Sequence, residues 1–323
     1  MEQSTEGMAN QIEFKNRKGF LIFFGVVEIF LGFIFLLFAI MAAIGTSYMN
    51  TNTEMNGTPF YTTQIDISLL VYFFIAILIV TLGIGNIKVR RWAKDFTLIV
   101  SWYGMILGTI SYIFMFVVLS YTLSDLPSES KSIAQVIMFI FGCFFVVVPL
   151  VFILFFQSKN VKYTVDSIDT KIGWTDKAPL TVIALYLLTL LGGLAPLMSA
   201  SYGWAIIFFG TVLHGIPGAM FILLNSGLFI LFGYYLYKLD IRGWWGLVLL
   251  NITWLINSII TVSNVSILEL YEKMNLPPES LHQIENMPFL NSKIFLIYSF
   301  VLFSFLMGYM FLIKKHFSPK TVS

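Results

Sequence analysis

Ser199-Ala200-Ser201-Tyr202-Gly203-Trp204-Ala205-Ile206-Ile207-Phe208-Phe209-Gly210-Thr211-Val212-Leu213-His214-Gly215 is the stretch on which the architecture turns. Its centre, Trp204 to Phe209, is apolar enough to suggest a membrane-crossing helix. If it crosses, every later segment points the other way. Four glycines, at 203, 210, 215 and 218, supply bends, and Trp204 suits the headgroup zone. Together these predict an interfacial or re-entrant segment on the outer face rather than a span.

The basic residues test that reading. Apolar runs long enough to cross a hydrocarbon core of roughly 30 Å lie at 19–44, 67–87, 96–121, 133–156, 180–198, 216–237, 245–268 and 294–313. With eight spans, Lys15, Arg17, Lys18, Lys88, Arg90, Arg91, Lys94, Lys159, Lys162, Lys171, Lys177, Lys238, Arg242, Lys314, Lys315 and Lys320 share one side, and only Lys131, Lys273 and Lys293 lie opposite. Lysine and arginine are retained in the cytoplasm, so both termini are expected there. A ninth span through Trp204 would carry Lys238, Arg242 and the basic tail outside.

Composition agrees with a chain made mostly of spans. A soluble domain is roughly 45–50% apolar and about 25% charged; this chain of 323 residues is 58% hydrophobic and 11% charged, too apolar for water. Backbone groups facing lipid need partners within their own segment, so the spans must be helices. The first run, behind Lys15, Arg17 and Lys18, exceeds the about 7–15 residues of a signal h-region and is expected to stay in place. The expectation is an all-α, polytopic bundle of the cell (inner or plasma) membrane. Residues 1–18 form a cytoplasmic tail, 19–156 a first four-helix unit, 157–179 a cytoplasmic linker, 180–313 a second four-helix unit, and 314–323 a second tail.

The two units read as a duplication. Trp92 and Trp102 are spaced like Trp244 and Trp254, each pair following a basic turn, at a shift of 152. Leu126-Pro127-Ser128-Glu129-Ser130 matches Leu276-Pro277-Pro278-Glu279-Ser280 at a shift of 150, and Leu31-Gly32 matches Leu191-Gly192. Convergent membrane composition is the alternative. An even number of spans per copy makes the repeats parallel, related by an axis along the membrane normal.

The turn Arg90-Arg91-Trp92-Ala93, Phe209-Gly210 with the stretch Gly215 to Gly218, and Gly243-Trp244-Trp245 resemble a pattern in uncharacterised multi-pass bacterial membrane proteins. The resemblance covers mainly residues 80–102 and 174–262 and carries no activity to transfer.

Few residues within spans could carry chemistry. Glu28 is the one acid inside a run, and an ionised carboxylate there must be protonated, paired or wet. Gly25 and Gly32 share its helix face, so Glu28 is expected against protein: either a proton or cation coupling site or a hydrogen-bonded tie between helices. Asn225, Asn251 and Asn257 are the other strong hydrogen-bonding groups in spans, as helix ties or ligand contacts. Cys143 stands alone and reads as a packing residue, and no His pair has metal-ligand spacing. No phosphate-binding glycine loop, HExxH or nucleophile elbow occurs, so neither an enzyme nor a cofactor is expected. A net charge of +2 makes no case for nucleic acid. Membrane lipids are the expected partners, with a protein partner or a second copy beside them. Asn56-Gly57-Thr58 is an acceptor sequon, and Pro277 to Glu285 suits a short outer helix. Three functions follow: a non-enzymatic scaffold or accessory component; a carrier of a small or lipophilic solute with its site between the repeats; and, fitting worst because catalysis needs several clustered polar groups, an intramembrane enzyme.

Overall fold

A computed structural model describes residues 14–52, 59–122, 128–265, 269 and 292–317. The sequon at Asn56, the Leu276 to Ser280 arm of the repeat and the helix expected over Pro277 to Glu285 lie outside the described residues, as does His282.

The helices are α1 (Lys18–Asn52), α2 (Pro59–Ile87), α3 (Arg91–Thr122), α4 (Ser128–Phe156), α5 (Lys159–Ile168), α6 (Leu180–Leu194), α7 (Gly215–Tyr237), α8 (Ile241–Asn264) and α9 (Ser292–Ile313). Among the described residues six segments are long and apolar enough to cross a membrane: Lys18–Met41, Leu69–Ile87, Ser132–Phe156, Leu180–Ala200, Gly215–Tyr237 and Ile241–Asn264. Only 22–33% of each is buried inside the protein, and outward residues such as Leu154, Met220 and Leu249 are more than three-fifths exposed. That much apolar surface is consistent with a multi-pass membrane protein. Helices α3 and α9, of 32 and 22 residues, are also long enough to cross.

The chain divides into two compact units, Met1–Phe35 with Phe74–Asp176, and Leu36–Phe73 with Lys177–Ser323. In the first, α1 and α2 touch backbone to backbone. A Cβ on Gly25 would lie 2.6 Å from the Gly83 carbonyl, and one on Gly83 would lie 2.5 Å from the Gly25 carbonyl. Interfaces in lipid favour such small residues because apolar side chains gain nothing by leaving the hydrocarbon. Phe24 of α1 stacks on Phe155 of α4 at 4.3 Å and meets Phe152 edge-on. The linker is itself folded. Helix α5 buries Val161, Thr164 and Val165 and has its N-cap at Ser158, whose hydroxyl accepts from Val161 N–H. Asn160 and Thr164 accept the backbone N–H groups of Lys15 and Arg17, pinning the chain as it enters α1.

In the second unit, α6 packs on α7 through Gly193 against Ser226 and Phe229, and through Thr189 against Gly233. Helix α9 is tied at two points. Trp244, fully buried, donates its indole N–H to the Met310 carbonyl, and the Tyr309 hydroxyl donates to the Thr181 carbonyl.

Between α6 and α7 the all-α pattern has one exception. The chain leaves α6 through a 3-10 helix, Ala195–Tyr202, then forms a hairpin of β1 (Ile206–Phe208) and β2 (Thr211–Leu213). Its register pairs Ile206 with Leu213 and Phe208 with Thr211. The two loop residues, Phe209 and Gly210, have φ of 47° and 82°, as a type I′ turn requires. A membrane-crossing helix over Trp204 to Leu213 is thereby excluded. Gly218 lies against the Trp204 and Leu213 carbonyls, where a Cβ would collide.

The turns α2–α3 and α7–α8 are the same local structure. In the first, Val89 N–H bonds to the Asn86 carbonyl and Arg90 N–H to that of Gly85; in the second, Leu239 N–H bonds to Leu236 and Asp240 N–H to Tyr235. Each is a Schellman closure with an unusual residue in the left-handed position, Val89 at φ 52° and Leu239 at 58°. These turns correspond at a shift of 150, which pairs Ala93 with Gly243 and leaves Trp92 two residues out of step with Trp244. The tryptophan environments differ accordingly: Trp244 is fully buried whereas Trp92 is half-buried, and Trp102 is exposed whereas Trp254 is half-buried.

Candidate functional site

In the first unit, Glu28 meets two partners that sequence reasoning missed. Oε1 accepts from the Thr97 hydroxyl at 2.7 Å, and Oε2 accepts from the Asn86 side-chain amide at 2.7 Å. The same amide nitrogen donates to Thr97 Oγ1 at 2.8 Å. Glu28, Asn86 and Thr97 are 3, 1 and 2% exposed, so the triangle closes out of contact with solvent. Three helices supply it. The Gly25–Gly83 contact brings α1 against α2 one turn from Glu28, and the tight turn at Lys88 to Arg90 returns α3 beside α2, with Gly85 against Ala93. Asn86 Oδ1 is buried with no hydrogen-bond partner. A polar residue among the glycines of Gly83-Ile84-Gly85-Asn86 was the available signal for Asn86; Thr97, one turn before Ser101, carried none.

No Lys or Arg among the described residues bonds to Glu28. Three basic groups of the α2–α3 turn and the start of α3 have carboxylates of their own. Arg91 bonds Asp166 through Nε at 2.9 Å and through Nη2, and lies 3.7 Å from Asp176. Arg90 lies 3.4 Å from Asp169, and Lys94 lies 2.8 Å from Asp95. The hydrogen bond to Asp166 holds the Arg91 guanidinium above its ordinary value. The basic turn is thus the seat of the linker, whose three aspartates close over it.

In the second unit, two of the three asparagines tie the chain to itself. Asn225 Oδ1 accepts the Trp254 indole N–H at 3.0 Å, joining α7 to α8. Asn257 Oδ1 accepts the Phe209 N–H at 2.6 Å, and Thr261, one turn on, accepts the Gly210 N–H at 3.0 Å. The hairpin loop is therefore held on α8 by the two amides that its left-handed residues expose. Asn251 instead donates to the Leu247 carbonyl of its own helix and lines an open cavity of about 200 Å³ with Trp254, Ser258, Ser299 and Phe303. The structure bonds Asn225 to Trp254 and sets Asn257 with Thr261 against the hairpin, while Asn251 lies beside Trp254 on the cavity.

Compared with protein-family models, with curated proteins and with solved structures, the chain matches none.

Proposed function

We propose that this protein is an eight-span component of the cell (inner or plasma) membrane with both ends in the cytoplasm, acting as a non-enzymatic scaffold or accessory subunit. One observation carries the reading: the polar groups buried in the helices are engaged mainly with the protein's own chain. Glu28 ties α1 to α2 and α3, Asn225 ties α7 to α8, and Asn257 holds the hairpin. Catalysis needs polar groups converging on a space a substrate can enter, and these converge on each other. The two matched Schellman turns support a parallel duplication; the tryptophan pairs do not, because they fall out of register.

Reporter fusions test the topology. Those after Lys94, Lys177, Lys238 and the C-terminus should read cytoplasmic, and those near Asn56, Ser128 and Glu279 external. An external C-terminus would sink the eight-span arrangement. The role is tested by purification in lipid nanodiscs followed by mass spectrometry. A stoichiometric protein partner supports the scaffold, and a stoichiometric bound solute replaces it with a carrier of a small or lipophilic solute. The cavity at Asn251 favours that second reading, since Ser258 and Ser299 offer hydroxyls beside the apolar walls of Leu255, Leu302 and Leu306.

A further inference from the structure

We infer that the Glu28, Asn86 and Thr97 cluster is a binding site for a small monovalent cation of the sodium class. The argument begins with charge. A carboxylate 3% exposed within membrane-length helices needs a compensating positive charge or a proton, because the low-dielectric interior returns little of the lost hydration. Among the described residues no Lys or Arg bonds to Glu28. Arg90, Arg91 and Lys94, which stand at the start of the helix that carries Thr97, are engaged by Asp169, by Asp166 and Asp176, and by Asp95.

The ligand set points to the kind of ion. Glu28 offers two oxygens and Thr97 a hydroxyl, hard donors of the type that alkali and alkaline-earth cations prefer; Asn86 faces them with its amide nitrogen and offers its carbonyl only when the amide turns over. Asn86 Oδ1 is the buried acceptor with no partner. A half-turn of the amide exchanges its near-isosteric N and O and brings Oδ1 to the place where Nδ2 now stands, 2.7 Å from Glu28 and 2.8 Å from Thr97. A single carboxylate matches one positive charge; a divalent ion would leave one uncompensated. The three side chains arise from three helices, so an ion held among them fastens α1, α2 and α3 whether or not it is ever transported. The inference is therefore independent of the choice between scaffold and carrier.

The test is thermal unfolding of the purified full chain in detergent, at fixed ionic strength and at each of several pH values, in sodium, lithium, potassium or choline chloride. A ligand that binds only the folded state raises Tm with the logarithm of its concentration once above its dissociation constant. The expected result is a rise of about 2 °C or more in sodium over choline. Glu28→Gln, which keeps the shape and one of the two acceptors but not the charge, should abolish the rise. Thr97→Ser should keep it, and Thr97→Val should move its midpoint to higher sodium. Equal Tm in all four salts overturns the inference, as does a rise that survives in Glu28→Gln. A Tm that follows pH but not the cation assigns the site to a proton and overturns it too. Should Glu28→Gln fail to fold, the Thr97 pair decides: equal sodium midpoints for Ser and Val reject the site.

Discussion

Asp169 Oδ2 accepts the backbone N–H of Arg91 at 3.1 Å, so the acid that caps the start of α3 comes from 78 residues away. Helix α8 begins after the same turn and is capped by Asp240, which accepts the N–H of Arg242 two residues on. Where the second turn carries Asp240, the first carries Arg90, which cannot accept a hydrogen bond. The linker supplies the missing carboxylate, and its Oδ1 meets Arg90 as well.

Asp169→Ala should therefore destabilise the protein by about 0.5–2 kcal/mol, the range for loss of an N-cap, and Asp169→Asn by less, since Asn caps as well as Asp. Chemical unfolding in detergent measures both. Equal losses would show that the ion pair with Arg90, and not the cap, is what Asp169 contributes.

At Glu28 the substitutions separate shape from burial. Glu28→Leu strands the Thr97 hydroxyl and one Asn86 donor inside the bundle and should cost about 0.6–2 kcal/mol, the range for interhelical hydrogen bonds in membranes. Glu28→Gln can still accept from Thr97 and should cost less in sodium-free buffer. Thermal unfolding of the two side by side gives the ranking, and Gln worse than Leu would contradict it.

The hairpin depends on α8. Removing an acceptor by Asn257→Ala or Thr261→Val should leave the helices in place and release the loop. Amide exchange at Phe209 and Gly210 should quicken by about tenfold, the equivalent of roughly 1.4 kcal/mol. Unchanged protection at 206–213 in the double variant would mean that strand pairing alone holds the hairpin.

The two left-handed turn residues should respond oppositely to glycine. A left-handed non-glycine residue costs about 1–2 kcal/mol. Leu239 is half-buried, so relief of strain should offset the lost contacts and leave Leu239→Gly neutral or more stable. Val89 is 2% exposed, and full burial of a valine is worth about 1.5–3 kcal/mol, so Val89→Gly should lose stability. Melting temperatures that fall equally for both would remove strain from the account.

Asp240 has a pH signature. Its hydrogen bonds to the Arg242 side chain hold its carboxyl below the ordinary value. A carboxyl depressed in the folded state adds stability above its unfolded pKa of about 3.9, and the gain is lost as pH falls through the folded value. The stability difference between the wild type and Asp240→Asn should be constant from pH 6 to 8 and shrink below pH 4. A gap that widens on acidification would refute the assignment.

The sequence by itself determined what local patterns can encode. Runs of apolar residues give helices where lipid leaves the backbone no other partner. The glycines one turn either side of Glu28 foretold a buried face because i−3 and i+4 lie together on any helix. The bends at Gly203, Gly210 and Gly215 foretold that Ser199 to Gly215 would not run straight, because those positions tolerate positive φ. Tertiary structure alone decided the partners. Glu28 meets Asn86 and Thr97 across 58 and 69 residues, Asn257 meets Phe209 across 48, and Asp169 caps Arg91 across 78. A hydrogen bond is a matter of two atoms within about 3 Å of each other, and periodicity in one segment carries no information about which other segment folding brings to that distance.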